Sequence, residues 1–230
     1  MLFIIDARMP EEARKKLHRY GDLLELKTEG LTYPAISGHP DIFFTQIENR
    51  IVVAPNLPEK YHETLDRHNI VRKIGEKPAG THYPASATYN AAIVENLIIH
   101  NFQITDKGIL NELPEARRIH VSQGYTRCNL VFLNSRMAVT SDRGIYNKLC
   151  KIDIETLYAD PAEIKLPGFR HGFFGGTCGT DGRHFFILGS LSKIKQGPEI
   201  ASFIDKAGLL TIELCNTPLI DGGSIFCLEK

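Results

Sequence analysis

Ile104-Thr105-Asp106-Lys107-Gly108-Ile109-Leu110-Asn111-Glu112-Leu113 is repeated by Thr140-Ser141-Asp142-Arg143-Gly144-Ile145-Tyr146-Asn147-Lys148-Leu149, with five of the ten positions identical. Each copy follows two short apolar runs separated by turn formers. Ala91-Ala92-Ile93-Val94, a turn at Glu95-Asn96 and Leu97-Ile98-Ile99 precede the first. Leu130-Val131-Phe132-Leu133, a turn at Asn134-Ser135 and Met137-Ala138-Val139 precede the second. Runs of this length bounded by turn residues predict a strand–turn–strand hairpin. The aspartate in each copy is placed to cap a short helix that follows.

The same unit recurs along the chain. Asp41-Ile42-Phe43-Phe44, a turn at Glu48-Asn49 and Ile51-Val52-Val53-Ala54 predict a hairpin, with a helix over Pro58 to Arg67. Gly175-Gly176-Thr177, a turn at Asp181-Gly182 and Phe185-Phe186-Ile187-Leu188 predict another. Its helix spans Pro198 to Ala207, with proline at the start and Gly208 just past the end. The fifth unit opens at Gly222-Gly223-Ser224-Ile225-Phe226 and runs into the C-terminus. Its remaining parts stand at the N-terminus: a strand over Leu2 to Ile5, a helix over Pro10 to Tyr20 and a strand over Leu23 to Leu26. The equivalent unit starts are Asp41, Asn90, Asn129, Thr177 and Ser224, separated by 49, 39, 48 and 47 residues. Counted through joined ends, the last interval is 47 residues. A ring closed by pairing the two termini explains this spacing and removes exposed sheet edges. One domain over residues 1–230 is expected, since no linker or low-complexity stretch interrupts the units.

Composition narrows the function. Lys+Arg and Asp+Glu both count 27, giving zero net charge, so a nucleic-acid partner is not expected. No apolar stretch is long enough to cross a bilayer, and Leu2-Phe3-Ile4-Ile5 is too short for a signal-peptide core, so a cytoplasmic location is expected. Five cysteines without CxxC spacing argue against a disulfide framework and a zinc site. Gly172 to Gly179 is glycine-rich but lacks both the lysine of a phosphate loop and a GxGxxG fingerprint. No cofactor and no metal are expected, and composition sets no oligomeric state.

This pattern resembles the pentein fold, a five-bladed α/β propeller with pseudo-five-fold symmetry that houses the guanidino-group modifying enzymes. The ribosomal anti-association factors share the fold. The resemblance is strongest to an uncharacterised clostridial-type family. It is carried by Gly38-His39-Pro40-Asp41-Ile42-Phe43, Gln123-Gly124-Tyr125-Thr126-Arg127-Cys128, Leu166-Pro167-Gly168-Phe169 and Asp221-Gly222-Gly223-Ser224-Ile225. It implies blades beginning near residues 41, 90, 129, 177 and 224, the last completed by residues 1–40.

The resemblance also implies a site. In the guanidino enzymes a thiolate attacks the guanidinium carbon, a histidine moves protons and carboxylates hold the cation. Cys227 stands where the nucleophile of the agmatine deiminases would be, although a buried strand thiol fits it as well. Asp41 resembles the Pro-Asp that binds a cationic head group, while His39 beside it reads as a surface-loop residue. The second-blade carboxylate is replaced by Asn90, and the third-blade His-x-Asp by Arg127-Cys128-Asn129. Asn90 and Asn129 donate and accept but carry no charge. Arg127 would repel a cation and favour a carboxylate. His171, and behind it His120, are the candidates for proton transfer.

Three readings follow. The first is a pentein-fold protein binding a small polar metabolite in its central channel, with the guanidine-modifying residues partly lost. The alternative is a divergent Cys-dependent hydrolase or amidinotransferase acting on a guanidino or amidino C–N bond. The second alternative is a non-catalytic partner of macromolecules, like the anti-association factors.

Overall fold

In a computed structural model, which describes residues 1–229, the chain forms five three-stranded sheets. The first contains β1 (Leu2–Asp6) and β2 (Asp22–Leu26), joined through α1 (Glu11–Leu17). A single helical turn, α2 (Pro40–Phe43), leads into β3 (Phe44–Ile47), followed by β4 (Arg50–Val53), α3 (Glu59–Arg67) and β5 (Val71–Ile74). The third sheet holds β6 (Ala92–Val94), β7 (Leu97–His100) and β8 (Arg117–His120), with α4 (Lys107–Glu112) before β8. Another single turn, α5 (Thr126–Asn129), precedes β9 (Leu130–Asn134), β10 (Met137–Thr140), α6 (Arg143–Leu149) and β11 (Glu155–Tyr158). The last units comprise β12 (Cys178–Thr180), β13 (His184–Ile187), α7 (Gly197–Lys206), β14 (Leu210–Glu213) and finally β15 (Phe226–Leu228).

Every sheet is wired alike. The first strand pairs antiparallel with the middle one, and the middle strand pairs parallel with the third through a helical crossover. In the sheet holding the chain start, the first strand is β15: Leu2 faces Leu228, Phe3 faces Cys227 and Ile4 faces Phe226. The two ends of the chain therefore complete one sheet, as the unit spacing predicts.

The duplicated segment behaves as its sequence implies. Asp106 accepts from the Gly108 amide and caps α4, and Asp142 accepts from the Ile145 amide and caps α6. The unit starts differ from expectation. Asp41, Asn129 and Thr177 lie in single helical turns rather than in strands, and Asn90 and Ser224 lie in the loops just before β6 and β15. Pro40 at the first position of α2 fixes a helical φ and surrenders no needed donor. Strand pairing begins only after each turn, so these residues sit at one end of the inner strands.

Those inner strands meet one another in sequence. β3 touches β6, β6 touches β9, β9 touches β12 and β12 touches β15. The Gln46 side chain of β3 donates to the Cys227 carbonyl of β15 at 2.7 Å. A cavity of about 240 Å³ is lined by residues of all five inner strands. Among the described residues no helix is long and apolar enough to cross a membrane.

Candidate functional site

Asp41 is fully buried, and its amide donates to the Gly223 carbonyl at 3.1 Å. Its Oδ2 accepts from the Cys128 thiol at 2.9 Å and from the Ser224 hydroxyl at 2.7 Å. Its Oδ1 is buried and has no hydrogen-bond partner. Asn90 is also fully buried and clamps Cys128 from the other side. Its Oδ1 accepts from the Cys128 amide at 3.0 Å, and its Nδ2 lies 2.9 Å from the Asp41 carbonyl and 3.3 Å from the Cys128 sulfur. Ser224 Oγ is 3.1 Å from the Gly175 carbonyl. Asn90 and Ser224 thus converge on the Asp41–Cys128 pair, and Gly175 joins them through Ser224, so each of the five units contributes one group. The helical turns carrying Asp41, Cys128 and Gly175 and the loops carrying Asn90 and Ser224 put them there.

A second carboxylate lies close by. Asp221 is buried and accepts from the Phe173 amide at 2.9 Å and the Gly223 amide at 3.0 Å. Burial raises its pKa and the Asp41 charge adds to that, while His39 opposes it. His39, expected on a surface loop, is only 2% exposed. Its Nδ1 is 3.9 Å from Asp221 and its Nε2 4.0 Å from Asp6, and Nδ1 has no hydrogen-bond partner. Asp6 in turn is held by Arg8, whose Nη2 is 2.6 Å from Oδ2. The loop carrying His39 folds inward because glycines leave room for it. A Cβ on Gly223 would stand 2.1 Å from the His39 Cβ, and one on Gly176 would stand 2.0 Å from Asp221 Oδ1. Here the glycine-rich segments serve close packing of a polar cluster.

Burial pushes the Cys128 thiol well above its ordinary pKa, and the Asp41 and Asp221 charges reinforce the effect. Tyr33 and Tyr125 lie near the site. Their hydroxyls lie 3.4 Å apart, and Tyr125 bonds Ser86 at 2.6 Å. Burial raises both phenolic pKa values. Tyr33 also packs 5.8 Å from the ring of Phe169.

Of the residues singled out from sequence, Asp41 and Asn90 belong to this cluster. Arg127 neighbours it in the chain but points elsewhere: its guanidinium donates to the carbonyls of Gly175 at 2.9 Å, Cys178 at 3.1 Å and Leu130 at 3.4 Å. Asn129 ties α5 down, donating to the Tyr125 carbonyl at 2.9 Å and accepting from Ser141 at 3.0 Å. Cys227 is separated from Asp41 by strand alternation. Phe226 lines the central cavity, so Cys227 faces the opposite side of β15. There it packs with Phe3, Ile5 and Phe186, and burial raises its pKa strongly. His171 bonds its own neighbour, Nδ1 lying 2.9 Å from the Gly172 carbonyl, with its ring beside Phe173. His120 is exposed and accepts from the Phe102 amide at 3.3 Å. Cys128, His39, Asp221 and Ser224 were not assigned roles from sequence. A sequence signal for Cys128 exists: it stands in the third unit's Arg127-Cys128-Asn129, between the two positions that the resemblance marks as functional.

A profile described as "Family of unknown function (DUF6873)" matches residues 4–226. The chain belongs to that family. No curated protein matches this DUF6873 member. Solved structures do. One is the Pseudomonas aeruginosa dimethylarginine dimethylaminohydrolase, a cysteine-to-serine mutant with citrulline, at TM-score 0.55 and 10% identity, covering 92% of this chain and 91% of that one. Another is an amidinotransferase from Microseira wollei in the saxitoxin biosynthetic pathway, at TM-score 0.57 and 15% identity, covering 94% and 88%. The agmatine deiminase of C. jejuni matches at TM-score 0.56 and 9% identity, covering 93% and 86%. The DUF6873 chain therefore has the mixed α/β fold of the pentein-type guanidino-modifying enzymes, and identities this low speak to the fold alone.

Proposed function

We propose that the five units close into a pentein-type α/β propeller and that the cluster at one mouth of its channel acts on a guanidino or amidino C–N bond, with Cys128 as the nucleophile. The observation that carries this reading is the Asp41 carboxylate. One oxygen holds the Cys128 thiol and the other is buried with nothing to accept from. With Asp221 beside it, the site has two carboxylates to offer a planar cation with N–H donors.

Cys128 passes its proton to Asp41 Oδ2 as the sulfur adds to the electrophilic carbon. The departing amine leaves with the C–N electron pair and takes that proton. Water then adds to the sulfur-bound carbon, the C–S bond breaks, and the thiol regains its proton from the water. The substrate gains the oxygen of water and loses one amine. In an amidinotransferase an acceptor amine replaces the water.

A binding protein without turnover is the second reading, favoured by a thiol that burial holds in its protonated form. One experiment separates the two. The protein is incubated with agmatine, arginine, methylated arginines and benzamidine, and amine release and binding heat are measured. Release that falls roughly 100-fold or more in Cys128→Ser supports catalysis. Binding without release, lost in Asp41→Asn, assigns the second reading. Neither release nor binding overturns both.

A further inference from the structure

The cavity among the five inner strands lies on the Arg127 side of α5, whereas the Cys128 thiol turns toward Asp41. Its walls include Ile93, Phe132 and Phe226, and Arg127 is its cation. The guanidinium centre is 5.8 Å from the Phe226 ring. Three carbonyls fix its orientation, engaging Nη1 twice and Nη2 once. These are dipoles rather than charges, and no carboxylate forms an ion pair with Arg127 among the described residues. Five N–H groups on a guanidinium leave Nε–H and one Nη2–H for another acceptor. A half-buried cation held rigidly, with spare donors and no counter-charge, is complementary to an anion. Glu48 and Glu95, exposed on the turns at the rim, line the same cavity and disfavour a multiply charged one.

We infer that this cavity is a second ligand site, separate from the Cys128 cluster, that takes a small monocarboxylate with a short apolar body, its carboxylate on Arg127. The cavity, about 240 Å³, accommodates such a molecule. The Cys128 reaction is not required for it.

Calorimetric titration with butyrate, against butyramide as its uncharged counterpart, tests the inference. Butyrate is expected to bind one saturable site at least tenfold more tightly than butyramide. Arg127→Gln removes that preference. Because Arg127 also braces the backbone, Thr180→Glu provides a second route: Thr180 lines the cavity, and a carboxylate there repels the ligand without touching the Arg127 carbonyl contacts. Cys128→Ser keeps butyrate binding, which separates this site from the catalytic proposal. Equal affinity for the two probes, no binding heat from butyrate, or butyrate binding that survives both Arg127→Gln and Thr180→Glu would overturn it.

Discussion

Cys128 and His100 are both buried titratable groups, and their pKa values move in opposite directions. The Cys128 thiol is held up by burial and by the charges of Asp41 and Asp221, so it ionises only in alkaline solution. Replacing Asp41 by asparagine removes the nearest negative charge and lowers that pKa. Alkylation of Cys128 by neutral iodoacetamide near pH 8 is therefore expected to run several-fold faster in Asp41→Asn than in the natural protein, as read by peptide mass spectrometry. An unchanged rate would mean that Asp41 does not govern the thiol. His100 is fully buried between the Thr105 hydroxyl at 2.7 Å and the Gly124 carbonyl at 2.9 Å, and burial lowers its pKa to about 4. A histidine depressed in the folded state contributes stability that is present above its unfolded pKa and lost as pH falls. Stability should drop between about pH 6.5 and pH 4 by about 3 kcal/mol from this group alone. Denaturant melts of the natural protein and His100→Asn across that range check it: the variant starts less stable and shows the flatter slope.

At the level of elements, what the sequence reveals and what it hides have a common physical origin. Apolar first and middle strands, tight turns and capping aspartates are local signals, and all four hairpins stand where those signals point. The third strands β5, β8, β11 and β14 were not legible. Segments such as Val71–Ile74 and Arg117–His120 are half polar and lie at sheet edges, with Val71 66% exposed, so they lack a buried apolar run. The single helical turns were missed because three or four residues give no period. The site suffered in the same way. Asp41 and Asn90 could be matched to a pattern, whereas the inward fold of His39 depends on Gly223 from the far end of the chain. The close packing that glycines allow around this cluster is testable at Gly176. Gly176→Ala places a methyl against the Asp221 carboxylate and should cost about 3 kcal/mol or more. Gly182→Ala is the control: it has φ +84° and nothing within 4 Å, so only the backbone term of about 1 kcal/mol applies. Equal losses in thermal or denaturant melts would remove the packing role given to Gly176.

Across the whole molecule, the strands from the two ends lie side by side, Leu2 opposite Leu228, in the position that a hairpin turn occupies in the other four sheets. A short turn joining these ends, with new termini opened at the Asp181-Gly182 turn, should therefore give a folded protein of similar melting temperature. A permuted chain that fails to fold while its expression and solubility are sound would count against the closed arrangement. The pairing of the two ends in one sheet also explains why the site draws on residues as far apart in sequence as Asp41 and Ser224, which hydrogen-bond at 2.7 Å. Whether that assembly recognises an amidino cation is decided by comparing 2-chloroacetamidine with neutral 2-chloroacetamide on the full-length protein, and mapping the adducts at each cysteine. Cys128 is predicted to prefer the cationic reagent at least tenfold more than exposed Cys150 does, and to lose that preference in Asp41→Asn. The same preference at Cys128 and Cys150, or an adduct at Cys227 in place of Cys128, would contradict the account.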